Sequence, residues 1–349
     1  MQQPCGAPLQ TRQVPRERRP TQFSSGRRPA STRLATLLSG AAQNNVRPPN
    51  MPPYHLTDSA ELSRMIREMA KGVPEVVASS TVGIVGSREK VIRQIGTGTL
   101  LSVADHRFVV TAGHVIRKAR DDELTVGVSG ADDGHFLTAT HPWWISGSIN
   151  RPQTEDAHDI AVYEFSSEQL KRIAGASFVR IADVEFERDL SRGYFLVSGF
   201  PVMWSSTLTE INPEAPMTTK LLQYGTWTLQ GAVTGLDDYD PETHFLLETK
   251  PATLLNPEGK AAVFRTNSGH PADMPQDFQG VSGCSVWMIA NLAKSPDTWK
   301  KSPARLVGVE TGIYRKRSAI KVTRWNAVTT LLYNCRPSLR NVLALYANL

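Results

Sequence analysis

From residue 76 onward the chain is a succession of short β-type runs broken by turn residues. They read VVASSTVGIVGS, KVIRQIGTGTLLSV, RFVVTAGHVI, ELTVGVSG, DIAVYEF, GYFLVSGFPV, LLQYGTWTLQGAV, THFLLETK, CSVWMIA and RLVGVETGIY. Val, Ile, Thr and aromatic residues fill these runs, and Gly, Pro, Asp and Ser bound them, as expected of strands packed on at least one face. A parallel sheet needs a crossover helix between successive strands, and no helical pattern recurs here, so an all-β barrel or sandwich is expected. Helices are predicted only at the two ends. In TDSAELSRMIREMAKGVPE, Asp58 with Glu61 resembles a capping box, Leu62, Met65, Ile66 and Met69 repeat at helical spacing, and Gly72 followed by Pro74 stops the pattern. WNAVTTLLYN and SLRNVLALYANL close the chain with the same periodicity.

The apolar share of 40% and charged share of 21% belong to an ordinary globular protein. The net charge of +6 is unevenly placed. Residues 1–50 hold eight arginines against the single acid Glu17, a balance of +7 that leaves −1 for the rest. A nucleic-acid surface on the folded part therefore gets no support, and the basic character belongs to the tail. Residues 1–55, rich in Arg, Ser and Pro, have too little apolar surface to offset the entropy of ordering and are read as a disordered tail. With no apolar run of about 18 residues, no secretory h-region and only Cys5, Cys284 and Cys335, the expectation is a cytoplasmic protein without a membrane span. No ligand-spaced His/Cys cluster suggests a metal, and no cofactor motif is present.

Three short stretches carry the chemistry. In FVVTAGHVI a strand runs to Thr111 and His114 follows on a turn of small residues. In AHDIAVYEF, Asp159 stands at the mouth of an alternating strand, with Asp156 nearby as its rival. In DFQGVSGCSVW, Gly280 and Gly283 flank Ser282 just before a strand. All eight histidines, the last at His270, precede Ser282. That order excludes an α/β-hydrolase and a papain-like enzyme using Cys284, since both place the histidine after the nucleophile.

In this order TAGHV, DIAV and GVSG resemble the histidine, aspartate and serine motifs of the chymotrypsin-type (trypsin-like) serine proteases. GTGTLLSV is similar to the strand entering the first barrel of that family, and LVGVETG to the strand walling its substrate pocket. The resemblance covers roughly residues 76–330 and is closest to bacterial-type and HtrA-like members. It implies two six-stranded antiparallel barrels, roughly 76–170 and 171–335 of a domain spanning 56–349, working on polypeptide without metal or cofactor. Ser282 would be the nucleophile, His114 the base, Asp159 its partner, and the N–H groups of Gly280 and Ser282 the oxyanion hole. Thr311 would supply a hydroxyl beside the aspartate, with Gly312 following it on the pocket wall. Gln276, six residues before the serine, would lie at the pocket base beside Asp277. An Asp277 facing the pocket would favour basic P1 residues; a solvated loop charge is the alternative.

The chain departs from the family in three places. Val281 replaces the aspartate that pairs with a newly cleaved N-terminus in digestive members, so activation by such cleavage is not expected. Cys284 stands for a glycine and Ser285 for a proline. Cys284 supports the alternative reading, a catalytically silent domain of this type that binds peptides or partner proteins. Ser285 is out of register for the nucleophile.

Overall fold

The strands form two antiparallel sheets. In the computed structural model the first is built from β1 (Thr81–Arg88), β2 (Val91–Val103), β3 (His106–Ala112), β4 (Thr125–Val128), β5 (Leu137–Thr138), β6 (Trp144–Ile145) and β7 (Ile160–Glu164). Their order is β5-β4-β1-β2-β3-β7-β6, and β8 (Val179–Arg180) adds to β2 in parallel. The second is built from β9 (Gly193–Gly199), β10 (Leu222–Trp227), β11 (His244–Glu248), β14 (Ser285–Asn291), β15 (Arg305–Tyr314) and β16 (Ala319–Arg324), in the order β10-β9-β14-β15-β16-β11. A bridge between Thr228 and Leu247, with Leu229 N–H donating to Leu246 C=O at 2.9 Å, joins its two edge strands. Closing a sheet on itself removes its exposed edges. β12 (Phe264–Arg265) and β13 (Pro271–Ala272) pair as a separate two-stranded sheet.

The described residues lie within 59–347 and exclude 71, 90, 131–135, 148–155, 174–175, 187–188, 206–220, 230–234, 237, 250–263, 266–270, 273–277 and 292–303. The expected tail, Asp58, and the predicted pocket residues Gln276 and Asp277 fall outside this set.

Alternation explains why the strands of the first barrel read as nearly continuous apolar runs. Val109, Ala161 and Tyr163 fill that barrel, whereas Phe108, Val110, Ile160 and Val162 point the other way. There they meet Trp287, Leu306 and Val309 of the second barrel, and the two barrels share one core. Strands buried on both faces have no solvent side to keep polar. Each such side chain contributes roughly 1.5–3 kcal/mol on leaving water. Trp325, Val328 and Leu332 of α4 (Trp325–Cys335) cover the same core, with Leu343 of α5 (Arg340–Ala347) behind them. The predicted terminal helices are therefore present, including α1 (Ser59–Ala70), whose Ile66 is fully buried with Met65 and Met69 beside it.

The fold is the expected all-β double barrel, with four local differences. Residues 76–79, expected to open the first strand, instead complete α2 (Val73–Ser79); Gly72, at φ +78°, caps its start and Pro74 sits in its first turn. Proline fits a first helical turn because its missing N–H has no partner there anyway. The first sheet holds eight strands, where six were expected, because β5, β6 and β8 are two-residue pairings. Too short to show a period, they leave no sequence signature. β16 was not anticipated, because Lys321 and Arg324 interrupt its apolar pattern. Finally, His114 lies in the first turn of a helix, α3 (Gly113–Asp121), and not on an open turn.

Candidate active site

β3 delivers the chain to the junction of the two barrels, and α3 begins there. His114 Nδ1 stands 2.7 Å from Asp159 Oδ2, and the His114 backbone N–H donates to Asp159 Oδ1 at 2.7 Å. A carboxylate only accepts, so Nδ1 carries the imidazole proton and Nε2 keeps its lone pair. Asp159 is completely buried and sits at φ +48°, a backbone region rare for residues with side chains. That conformation is over-determined: Asp159 C=O accepts from Gly113 N–H at 2.7 Å while its carboxylate takes donors on both oxygens. Strained backbone held this firmly is characteristic of functional sites.

The third donor to Asp159 is Arg117, one turn along α3 from His114. Its Nη1 donates to Oδ1 at 2.9 Å, and its Nη2 donates to Ser146 C=O at 2.7 Å and to Asp156 Oδ2. Asp156 thus makes its ion pair with Arg117, with Ser146 Oγ donating at 2.9 Å, and among the described contacts it does not touch His114. Of the two aspartates considered from sequence, Asp159 is the one on the imidazole. Arg117 was not picked out, because an arginine among Lys118 and Arg120 on a short helix carries no mark of burial. Replacing Arg117 with methionine is expected to cost about 3–5 kcal/mol, since it strands two buried carboxylates. Chemical denaturation of the variant against wild type measures it.

Burial opposes charging His114, but the hydrogen bond and negative charge of Asp159, helped by Glu310, outweigh it. The imidazole pKa is raised above its ordinary 6.5.

The serine turn arrives from the other barrel. Thr97 in β2 ties it down: its N–H donates to Ser282 C=O at 2.9 Å, and its Oγ1 donates to Gly280 C=O at 2.7 Å. Gly280 and Gly283 stand at φ +90° and +89°, the region that favours glycine. Close approach imposes the same choice. A Cβ on Gly280 would lie 2.8 Å from Phe200 O, and one on Gly283 would lie 2.8 Å from Ala112 N and overlap Thr111. Gly283 is thereby pressed onto the last residues of β3, just before the helix that carries His114.

The backbone donors of this turn divide cleanly. Val281 N–H goes to Phe278 C=O, Gly283 N–H to Glu310 C=O and Cys284 N–H to Val281 C=O, at 2.8–2.9 Å. Among the described residues, the N–H groups of Gly280 and Ser282 have no such acceptor. The turn therefore holds in reserve two donors flanking a half-buried serine.

The remaining sequence-based residues fall as follows. Thr323 Oγ1 donates to His158 C=O at 3.0 Å, so its partner Thr311, 2.8 Å away, donates to Thr323. Thr311 thus reaches the residue preceding Asp159 through a relay. Gly312 pairs with Lys321 across β15 and β16. Val281 and Cys284 are both buried in the second-barrel core, and Gly199 makes room for Cys284, since a Cβ there would come within 2.8 Å of the Cys284 Cβ. Burial also pushes the Cys284 thiol well up, leaving it neutral. The cysteine therefore points away from the turn's free donors instead of crowding them. Ser285 is fully buried within β14.

One residue beside the serine escaped notice in the sequence. Glu310, in β15, is completely buried, and burial raises its carboxyl to about 7, against the opposing pull of His114, the Ser282 hydroxyl and Lys321. A glutamate inside an apolar run has the outline of a β-bulge or edge position, and nothing in GVETG marks it as facing the site.

No protein-family model matches the sequence, and no curated protein does. Solved structures do match. A thermostable serine protease, AL20, from an extremophilic microorganism is 12% identical, with a TM-score of 0.41 over 74% of this chain and 97% of that one. A Glu endopeptidase is 12% identical, with a TM-score of 0.40 over 75% and 91%. The tobacco etch virus protease is 8% identical, with a TM-score of 0.35 over 72% and 74%. Among the described residues no helix is long and apolar enough to cross a membrane.

Proposed function

We propose that the chain is a serine endopeptidase that hydrolyses polypeptide through Ser282, His114 and Asp159. The observation that carries this reading is the His114–Asp159 hydrogen bond, made where the Gly280–Gly283 turn packs against the end of β3. In the reaction, Ser282 Oγ attacks the scissile carbonyl as His114 Nε2 takes its proton. The imidazolium so formed is stabilised by Asp159, which also holds the productive tautomer. Charge then develops on the carbonyl oxygen, and the unspent N–H groups of Gly280 and Ser282 are the donors for it. They are preorganised by their glycine conformations and by Thr97, and each is worth roughly 3–4 kcal/mol in the transition state. His114 returns the proton to the leaving amine, and water repeats the cycle on the acyl-enzyme. Nothing in these steps requires a metal or an organic cofactor.

Incubation with a peptide library is the test: wild type cleaves and reports its P1 preference in the same experiment, whereas no cleavage by folded protein would count against the proposal. A pH series adds a second check. The base must be neutral, so kcat/KM falls as His114 protonates. Its raised pKa places the midpoint of that acid limb above 6.5.

A further inference from the structure

Glu310 presents a problem of electrostatic economy. Both its carboxylate oxygens are buried and, among the described residues, neither has a well-formed hydrogen-bond partner. The cation that acts on it, Lys321 across the β15–β16 pairing, gives its ammonium to Asp238, which also accepts from Tyr314 Oη at 2.6 Å. From β10 the Tyr224 phenol and from the serine turn the Cys284 thiol face the same region, and burial holds both neutral. From the first barrel come His114 and Asp159. The remaining group is the Ser282 hydroxyl, whose pull on the Glu310 carboxyl opposes the effect of burial, although neither carboxylate oxygen has a hydrogen-bond partner among the described residues. The Glu310 backbone is fixed to the turn on both sides: its C=O accepts from Gly283 N–H at 2.8 Å and its N–H donates to Cys284 C=O at 3.0 Å.

We propose that Glu310 is a positioning residue for the nucleophile, contesting with His114 for the Ser282 hydroxyl proton. This rests on the serine endopeptidase reading. A protonated Glu310 donates its own O–H to Ser282 Oγ, and the serine proton is then free to point at His114 Nε2. An ionised Glu310 only accepts, so it draws the serine O–H toward itself and away from the base. Between the two forms Glu310 gives up one proton to solvent and the serine hydroxyl changes direction; no other bond is made or broken. The negative form also attracts the imidazolium and makes His114 harder to deprotonate. Both effects act the same way, and the site is most reactive where His114 is neutral while Glu310 still holds its proton.

The test is the rate at which a fluorophosphonate labels Ser282, followed from acid to alkaline pH in wild type, Glu310→Gln and Glu310→Leu, with thermal melts confirming that each is folded. Wild type is expected to rise and then fall. Both variants are expected to lose the falling limb and to label about tenfold faster near pH 9, the value of one charge-assisted hydrogen bond. Their acid limb moves to lower pH, and an imidazole NMR titration of His114 shows the same displacement. Labelling with one unchanged pH profile in all three proteins overturns the assignment and leaves the hydrolase reading standing. Absence of labelling in folded wild type at every pH overturns the hydrolase reading and this assignment with it.

Discussion

Replacing Ser282 with alanine is expected to lower kcat for peptide hydrolysis by about a millionfold, the scale at which a nucleophile is lost from a unit that works together. The fold should survive. Ser282 contributes its carbonyl to Thr97, and that bond does not involve the side chain. Gly280 and Gly283, which set the turn, are untouched. KM should therefore change little while kcat collapses. His114→Ala is expected to lose a similar amount, and the double variant hardly more, because neither residue has a reaction to perform without the other. A steady-state comparison of the three variants checks this. Losses that multiply would show two independent contributions and would contradict a shared proton-transfer step.

Asp159→Asn is expected to reduce kcat by about ten-thousandfold, the size of effect seen when an imidazole is held in the wrong tautomer. The argument here is one of donor counting. Asp159 takes His114 Nδ1–H on one oxygen and both the His114 N–H and Arg117 Nη1 on the other. Asparagine offers one oxygen and one NH2, so one side must set donor against donor. If the NH2 faces the ring, Nδ1 has to accept and Nε2 becomes protonated, which removes the base. Facing the other way, it confronts Arg117 and the helix N–H. Stability should fall as well, by about 3–5 kcal/mol, because a buried ion pair loses one partner. Asp156→Asn separates the two roles. It sits behind Arg117 and not on the imidazole, so it should destabilise while changing kcat far less. Denaturant melts alongside kcat for both variants distinguish these cases.

How far the sequence could be read follows from the range over which each signal acts. Strand texture is local, so ten runs and both terminal helices were visible, and so was the order of histidine, aspartate and serine. The glycines around Ser282 were legible for the same reason: only a special backbone needs glycine on both sides, and both are at positive φ. What could not be read is what depends on partners far along the chain. Arg117 is buried only because Asp156, Asp159 and Ser146 converge on it, and on its own helix it resembles any surface cation. Thr97 looks like an ordinary strand residue, yet it binds the serine turn some 180 positions later, a separation of 183 to Gly280. Glu310 lies in a strand whose apolar neighbours hide it, and its raised carboxyl comes from complete burial, which His114 and Ser282 on other elements only partly oppose. That Cys284 turns into the second-barrel core is equally invisible in the sequence, because its side-chain direction follows from the pairing of β14, β9 and β15, which no short motif records.

The most direct test of the central claim is where a fluorophosphonate becomes covalently attached to the folded wild-type protein, mapped by mass spectrometry of its peptides. The account predicts a single adduct, on Ser282, that disappears when His114 is replaced by alanine. An adduct on any other residue, or one on Ser282 that forms equally fast without His114, would contradict it.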